Sequence, residues 1–338
     1  MKEITIGKNE AGQRMDKYLK KYFRSAGSGF LYKMLRKKNI LLNRKKAEGK
    51  EMLEEGDTIT LYLSDDTIEK FRKAPGEKEE EKEIYPYISL DILYEDENYI
   101  IINKPAGILS QKASPNDLSM VEYLTGYLLE RHQITREELE TFHPSVCNRL
   151  DRNTSGLILA GKSLAGLQDF SELLKKRSMK KYYLALVQGR PEQAGRYRAW
   201  LKKNSGSNQV KVLTQPCDGA AMIETGYEIL WSDGRCSLLK VDLITGKSHQ
   251  IRCHLASLGY PLAGDSKYGN AAWNQKLRKT SGLNRQFLHA WQVCFPRLDG
   301  RMEPLSGKIF TAPLPEDLKK TLEQVNVSDI WNSMREGV

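Results

Sequence analysis

The stretch SDDTIEKFRKAPGEKEEEKEIYPY, residues 64–87, most constrains what this chain can fold into. It is charged, poor in apolar residues and broken at Pro75-Gly76. Such a composition cannot bury a core, so it reads as a linker. The 338-residue chain, 40% hydrophobic, then suits one large globular domain and one small one. We expect a small domain at residues 1–63, a charged linker at 64–87 and a large domain at 88–338.

Charge divides along the same line. Residues 1–63 hold 15 Lys and Arg against 8 Asp and Glu, a net of +7 out of +10 for the whole chain. Between Lys20 and Lys46 there are ten basic residues and no acidic one. A basic balance points to a polyanion such as nucleic acid, although basic character alone is weak evidence. Other classes fall away. No run of about 18 apolar residues is present, so no membrane span is expected. The segment MKEITIGKNE lacks the apolar core of a secretory signal. A cytoplasmic location is expected. Five scattered cysteines with no C-x-x-C pair argue against a disulfide framework or a zinc site.

Within the small domain, Met15, Tyr18, Leu19, Tyr22 and Phe23 recur at helical spacing, as do Phe30, Leu31, Met34 and Leu35. A short strand from Ile40 to Asn43 precedes Arg44-Lys45-Lys46 at a turn, and GDTITLYL alternates as a strand. Lys33, Arg36, Lys37 and Lys38 would share the exposed side of the second helix, with Arg44, Lys45 and Lys46 extending the patch. A solvated helix face explains such a cluster as well as a binding surface does.

The large domain reads as strand-rich with several helices. Strands are expected at 100–103, 157–160, 182–187, 223–230 and 236–243, the last two paired as a hairpin through Ser232-Asp233-Gly234. Helices are expected at 120–131, 164–176 and 249–258. The order does not alternate regularly between strand and helix. A mixed, largely antiparallel α+β domain is therefore expected.

Three separated segments concentrate polar residues where a core would want apolar ones: NRLDRNTSGL from Asn148, KKYYLALVQG from Lys180, and TGKSHQIRCHLASLGYPLAGDSKYG from Thr245. Each alone reads most simply as an element end with solvated charge. His249 and His254 converge with no third ligand, so no metal site is expected. Asp265 in GDSKYG reads as a turn former, and Lys104-Pro105 as part of a cleft wall.

Taken together, these segments resemble the RluA family of pseudouridine synthases. Arg149, Leu150, Asp151, Thr154, Ser155, Gly156 and Leu157 match its HRLDxxTSGL motif, with Asn148 in place of the His and Asn153 where Asp is frequent. Lys181, Tyr183, Ala185, Val187 and Gly189 match a second motif, and Lys247, His249, Gln250, Ile251, Arg252 and His254 a third. Residues 12–63 resemble an S4-type RNA-binding domain, through Arg14-x-Asp16-x-x-Leu19, Asn43-Arg44-Lys45 and Glu55-Gly56-Asp57. The resemblance implies an S4-like domain followed by a pseudouridine synthase domain. It assigns Asp151 as the catalytic aspartate, Arg252 as its partner and Tyr183 as the residue stacked on the target uracil. Ile251 would line the pocket, and Arg149 would displace the base. Lys33, Arg36, Lys37 and Arg44 would contact RNA phosphates.

The implied reaction breaks the N-glycosidic bond of a uridine, turns the base and rejoins it through carbon. Atoms and electrons are conserved, so no cofactor is expected. RNA of the large ribosomal subunit, or a pre-ribosomal particle, is the expected partner. No obligate protein partner is expected, and the chain would act as a monomer. The alternatives on the sequence are a pseudouridine synthase directed at transfer RNA, a non-catalytic RNA-binding or ribosome-assembly factor, against which the intact Asp151, Tyr183 and Arg252 argue, and a nucleoside or glycoside hydrolase with paired carboxylates, against which the single obvious aspartate argues.

Overall fold

A computed structural model describes residues 1–72, 84–203 and 210–327. The N-terminal region is a four-stranded antiparallel sheet with strand order Lys2–Thr5, Thr58–Leu61, Ile40–Leu42, Lys45–Lys46. Helices Met15–Tyr22 and Ser28–Arg36 pack on it. Their apolar positions are those expected from the spacing, and Met15, Tyr18, Leu19, Leu31 and Leu35 are buried. The hairpin between Ile40–Leu42 and Lys45–Lys46 turns on Asn43 and Arg44, both at positive φ. That conformation fits a two-residue turn whose twist matches its strands. Asn43 tolerates it and also clamps the next strand, its Nδ2 donating to Asp57 (2.7 Å) and its Oδ1 accepting the Thr58 N–H (2.8 Å).

The structure differs from the sequence expectation in residues 64–87. The helix Asp65–Arg72 occupies the first part of that stretch, with Ile68 buried in the N-terminal core and Phe71 against Phe30. Two apolar residues spaced three apart were enough to seat one short helix, despite its charged composition. At the far end, Tyr85 packs beside the helix Met120–Glu130, where Gly126 leaves room for the Tyr85-Pro86 backbone. Residues 73–83 of the expected linker lie outside the described residues. The N-terminal region meets the rest through polar contacts, including an Arg72–Glu140 ion pair and a Thr141 hydroxyl donating to Glu10 (2.6 Å).

The large region is built on one mixed sheet. From one edge its strands run Val210–Leu213, Gly195–Lys203, Ala220–Ser232, Cys236–Leu243, Lys180–Gln188, Leu288–Cys294, Ser155–Gly161, Tyr99–Lys104 and Ile92–Glu95. Ser145–Val146 and Ile309–Thr311 pair alongside. Every pairing is antiparallel except that between Leu288–Cys294 and Ser155–Gly161. The α+β, largely antiparallel class is therefore as expected. Among the described residues, no helix is long and apolar enough to cross a membrane.

The expected strands and helices are present, with no end shifted by more than three residues and the strand Cys236–Leu243 unshifted. Helix Leu164–Lys176 has the expected bounds, because Ser163 caps it by accepting the Gly166 N–H (3.0 Å). Leu288–Cys294 was not foreseen, although it lies at the centre of the sheet. Its sequence LHAWQVC carries no alternation because both of its faces are buried.

Candidate active site

The loop Asn148–Asn153 lies between Ser145–Val146 and Ser155–Gly161, where the parallel pair of strands meets. Its conformation is held from several sides. Gly156 sits at φ +108°, and a Cβ there would lie 2.2 Å from the Ala290 carbonyl oxygen, so only glycine fits. Asn148 bonds to the following strand, its Nδ2 donating to Leu157 O (3.3 Å) and its Oδ1 accepting the Leu159 N–H (2.7 Å). Its amide thus serves the backbone, which accounts physically for a side chain with both a donor and an acceptor at this position. Ser110 Oγ donates to Leu150 O (2.9 Å), and Arg285 donates to Asn153 O (3.0 Å).

Lys104 does not form part of the cleft wall. It is fully buried behind the loop, with Nζ donating to the carbonyl oxygens of Pro105 (2.7 Å), Ile108 (2.8 Å) and Arg152 (3.2 Å). Burial and the nearby Arg285 charge pull its pKa down to about 7, against the opposing pull of Asp151. Three carbonyl oxygens match the three N–H bonds of an ammonium, so the charged form is the one the cage fits.

Helix Gln250–Ser257 supplies the opposite side. Gln250 fastens its first turn, donating to Glu224 O and Thr225 Oγ1 (both 3.0 Å) and accepting from Thr245 Oγ1 (2.8 Å). Arg252, 5% exposed, then reaches Asp151 with Nη1 to Oδ2 at 2.8 Å. Its Nε and Nη2 form a fork on Asp265, at 2.7 and 2.9 Å. Asp265 also accepts the backbone N–H groups of Lys267 (2.9 Å) and Tyr268 (3.1 Å). The turn role expected for Asp265 is real, but incomplete. The same carboxylate fixes the plane of the Arg252 guanidinium, a role that spacing alone could not reveal. Burial works against the charge of Arg252, and Asp265 and then Asp151 more than offset it, so its pKa is raised. Asp265 is likewise disfavoured by burial, yet Arg252 and the two backbone donors hold its pKa below the usual carboxylate range.

Tyr183 lies on the central strand Lys180–Gln188, opposite Val241 and Ala290. It is 5% exposed, among Leu150, Ile251 and Leu288. Burial, and then the Asp151 charge, raise the pKa of its hydroxyl, so the ring stays neutral. Asp151, Tyr183, Arg252, Arg149 and Ile251 all line one subpocket of about 50 Å³. Arg149 stands exposed at its mouth. The structure therefore brings together residues more than 100 positions apart in sequence.

The subpocket shares Arg149, Asp151, Tyr183 and Arg252 with a cleft of about 1320 Å³, lined by eleven lysines and arginines against two aspartates. Such a lining suits a phosphate backbone. Lys33, Arg36, Lys37 and Arg44 line neither cavity; they are exposed on the N-terminal region. His249 and His254 do not face one another as ligands. They bond Tyr268 Oη and Thr225 Oγ1, each at 3.0 Å.

Comparison with known proteins shows the family. Residues 98–257 match the family model described as RNA pseudouridylate synthase. The chain is 31% identical to ribosomal large subunit pseudouridine synthase C of Escherichia coli, over 96% of this chain and 97% of that protein. The synthase C of Haemophilus influenzae is also 31% identical, over 97% of this chain and 96% of that one. Among solved structures, human RNA pseudouridylate synthase domain containing 4 shares the fold, with a TM-score of 0.56 and 23% identity. That match covers 70% of this chain and 92% of the human one. The chain belongs to the RNA pseudouridylate synthase family.

Proposed function

We propose that this enzyme isomerises uridines of large-subunit ribosomal RNA, with Asp151, Tyr183 and Arg252 as its catalytic residues. The observation that carries this reading is the Arg252–Asp151 pair set beside Tyr183 in a small pocket that shares its lining with a basic cleft. The relatives named for large-subunit RNA align over almost the whole chain, N-terminal region included.

The reaction breaks the bond from C1′ to N1 and forms one from C1′ to C5. The C5 proton leaves and N1 gains one, so atoms and electrons balance without a cofactor. A stacked base cannot reach the pocket floor. It must be extruded, which costs a few kcal/mol. Stacking on Tyr183 returns roughly 1–3 kcal/mol. Arg149, at the pocket mouth, displaces the base and occupies the gap it leaves. Ile251 packs against the base edge. Asp151 meets the ribose and base where the bond breaks, and Arg252 holds that carboxylate in place by a charge-assisted hydrogen bond. Because Asp265 anchors two of the three guanidinium nitrogens, Arg252 is preorganised rather than recruited.

Lys33, Arg36, Lys37 and Arg44 act as an S4-type surface on RNA phosphates away from the cleft. All the proposed site groups come from one chain, so a monomer suffices, and the substrate implies a cytoplasmic location. The test is a pseudouridine map of total RNA from cells with the gene, without it, and with Asp151→Asn alone. Large-subunit sites lost in both altered samples are expected. Loss confined to transfer RNA would overturn the ribosomal assignment. Sites kept with Asp151→Asn would overturn the catalytic one.

A further inference from the structure

His249 precedes helix Gln250–Ser257 and sits at φ +54°, a left-handed conformation uncommon for a residue with a side chain. Such strain persists where surrounding contacts fix it, and it clusters at functional sites. Here the fixing contact is Tyr268, whose Oη lies 3.0 Å from His249 Nδ1 with the two rings edge to face. The same Oη accepts the Val210 backbone N–H at 3.1 Å. That leaves its own proton free for Nδ1, an arrangement in which Nδ1 accepts. An imidazole that accepts at Nδ1 carries its proton at Nε2. Burial lowers the pKa of this ring, Asp151 opposes that, and Arg252 and Lys267 add to the lowering, so the neutral form prevails at pH 7. The His249 side chain lines both the cleft and the subpocket, beside Asp151, Ile251 and Arg252.

We propose that His249 is a substrate-binding residue that donates its Nε2–H to an acceptor oxygen of the extruded nucleotide, and that Tyr268 is a positioning residue which sets the tautomer. Asp151 and Arg252 present charge to the pocket, whereas His249 presents a neutral donor. A neutral donor can hold a base carbonyl without competing with Arg252 for Asp151. The inference rests on the reading that this subpocket receives the target uridine.

Three variants test it on a large-subunit RNA transcript: His249→Ala, His249→Gln and Tyr268→Phe. Glutamine carries an N–H donor at about the reach of Nε2. His249→Ala is expected to raise KM about tenfold, as for a lost buried hydrogen bond, and His249→Gln to recover part of that loss. Tyr268→Phe is expected to raise KM less. It would also move the ¹⁵N signals of His249 from the Nε2–H pattern to a mixture of tautomers, in a protein with only five histidines to assign. That signal reads the tautomer even if an alanine variant folds poorly. KM and kcat unchanged in a folded His249→Ala protein, or an unaltered tautomer in Tyr268→Phe, would overturn the inference. Asp151→Asn, run in parallel, separates this failure from failure of the underlying site. If Asp151→Asn is inactive while His249→Ala is normal, only the inference about His249 falls. Because the donor is neutral, the salt slope of KM should be unchanged in His249→Ala; a slope smaller by about 0.7 would mean a charged imidazolium on a phosphate and would overturn the neutral-donor inference.

Discussion

Helices Ser28–Arg36 and Gln250–Ser257 both display arginine close to the proposed RNA-binding surfaces, under opposite physical conditions. Arg36, with Lys33 and Lys37 around it, stands in solvent. Arg252 has a side chain only 7% exposed and is shared between two carboxylates, of which Asp265 is fully buried. A solvated charge is screened, replaceable and nearly independent of its neighbours. A buried charge is tolerated only as part of a satisfied set, and removing one member strands the others. On the proposed roles, the N-terminal surface would adjust affinity residue by residue, whereas the cluster of Asp151, Arg252 and Asp265 would stand or fail as a unit.

The most severe break of this comparison is Arg252→Met. It leaves Asp265 buried without its cation and frees Asp151. A stability loss of about 3–5 kcal/mol is expected, together with loss of isomerisation. The denaturation midpoint measures the first and a tritium-release assay on C5-labelled RNA the second. Against it stands Lys8→Ala, which removes an ion pair with Glu97 whose side chains are 52% and 70% exposed. That change should shift stability by less than about 1 kcal/mol. Equal effects from the two variants would mean that burial does not set the cost of losing a charge in this protein.

Asp265→Asn sharpens it. The amide keeps the shape and one acceptor, but it loses the charge and the two-pronged grip on Nε and Nη2. A loss of about 2–3 kcal/mol is expected, with kcat falling more than KM rises, because Arg252 can then swing away from Asp151. A KM effect alone would mean that Asp265 acts on binding and not on the Arg252 geometry.

A third buried group gives a pH signature. His289 joins the parallel strands, its Nδ1 accepting the Ser155 hydroxyl (2.9 Å) and its Nε2 donating to Ala312 O (3.3 Å). Burial is the main cause that brings its pKa down from 6.5 to about 4. Between those values the unfolded chain binds the proton and the folded one does not. Stability therefore falls as pH drops from about 6.5 to about 4, by up to roughly 3 kcal/mol from this group. His289→Gln should flatten that part of the curve of unfolding free energy against pH. An unaltered curve would mean that His289 is not the group responsible.

How much of this was legible in the sequence follows the same division between local and distant causes. Spacing revealed the helices around Leu19, Leu31 and Phe170, because one apolar stripe per helix is a local signal. The segment 288–294 was missed, because a strand buried on both faces has no polar alternation. The motifs isolated Asp151, Tyr183 and Arg252, but not what holds them. Asp265 looked like a turn former because its bonds to Lys267 and Tyr268 are local, whereas its bonds to Arg252 span 13 residues. Lys104 looked like cleft wall because its grip on the Arg152 carbonyl crosses 48 residues. The charge-rich stretch after residue 63 hid a short helix, because composition averages away two well-placed apolar residues, Ile68 and Phe71.

The smallest expected effect per residue belongs to the N-terminal surface, and it tests the other half of the comparison. Lys33, Arg36, Lys37 and Arg44 are exposed, and Arg44 occupies a hairpin turn at φ +61°. Replacing the first three by alanine and Arg44 by asparagine, which accepts that φ, should leave stability within about 0.5 kcal/mol per site. RNA affinity should fall, and most at low salt, because each lost phosphate contact removes about 0.7–0.9 from the slope of log affinity against log salt. The four single variants should then add up to the combined one, since solvated charges act almost independently. The kcat on a short stem-loop that reaches only the cleft should not change. If the slope is unaltered, these residues are a solvated helix face and nothing more. If kcat on the stem-loop falls, the N-terminal region is coupled to the cleft, and the polar contacts made by Arg72, Glu140, Glu10 and Thr141 become the route to examine.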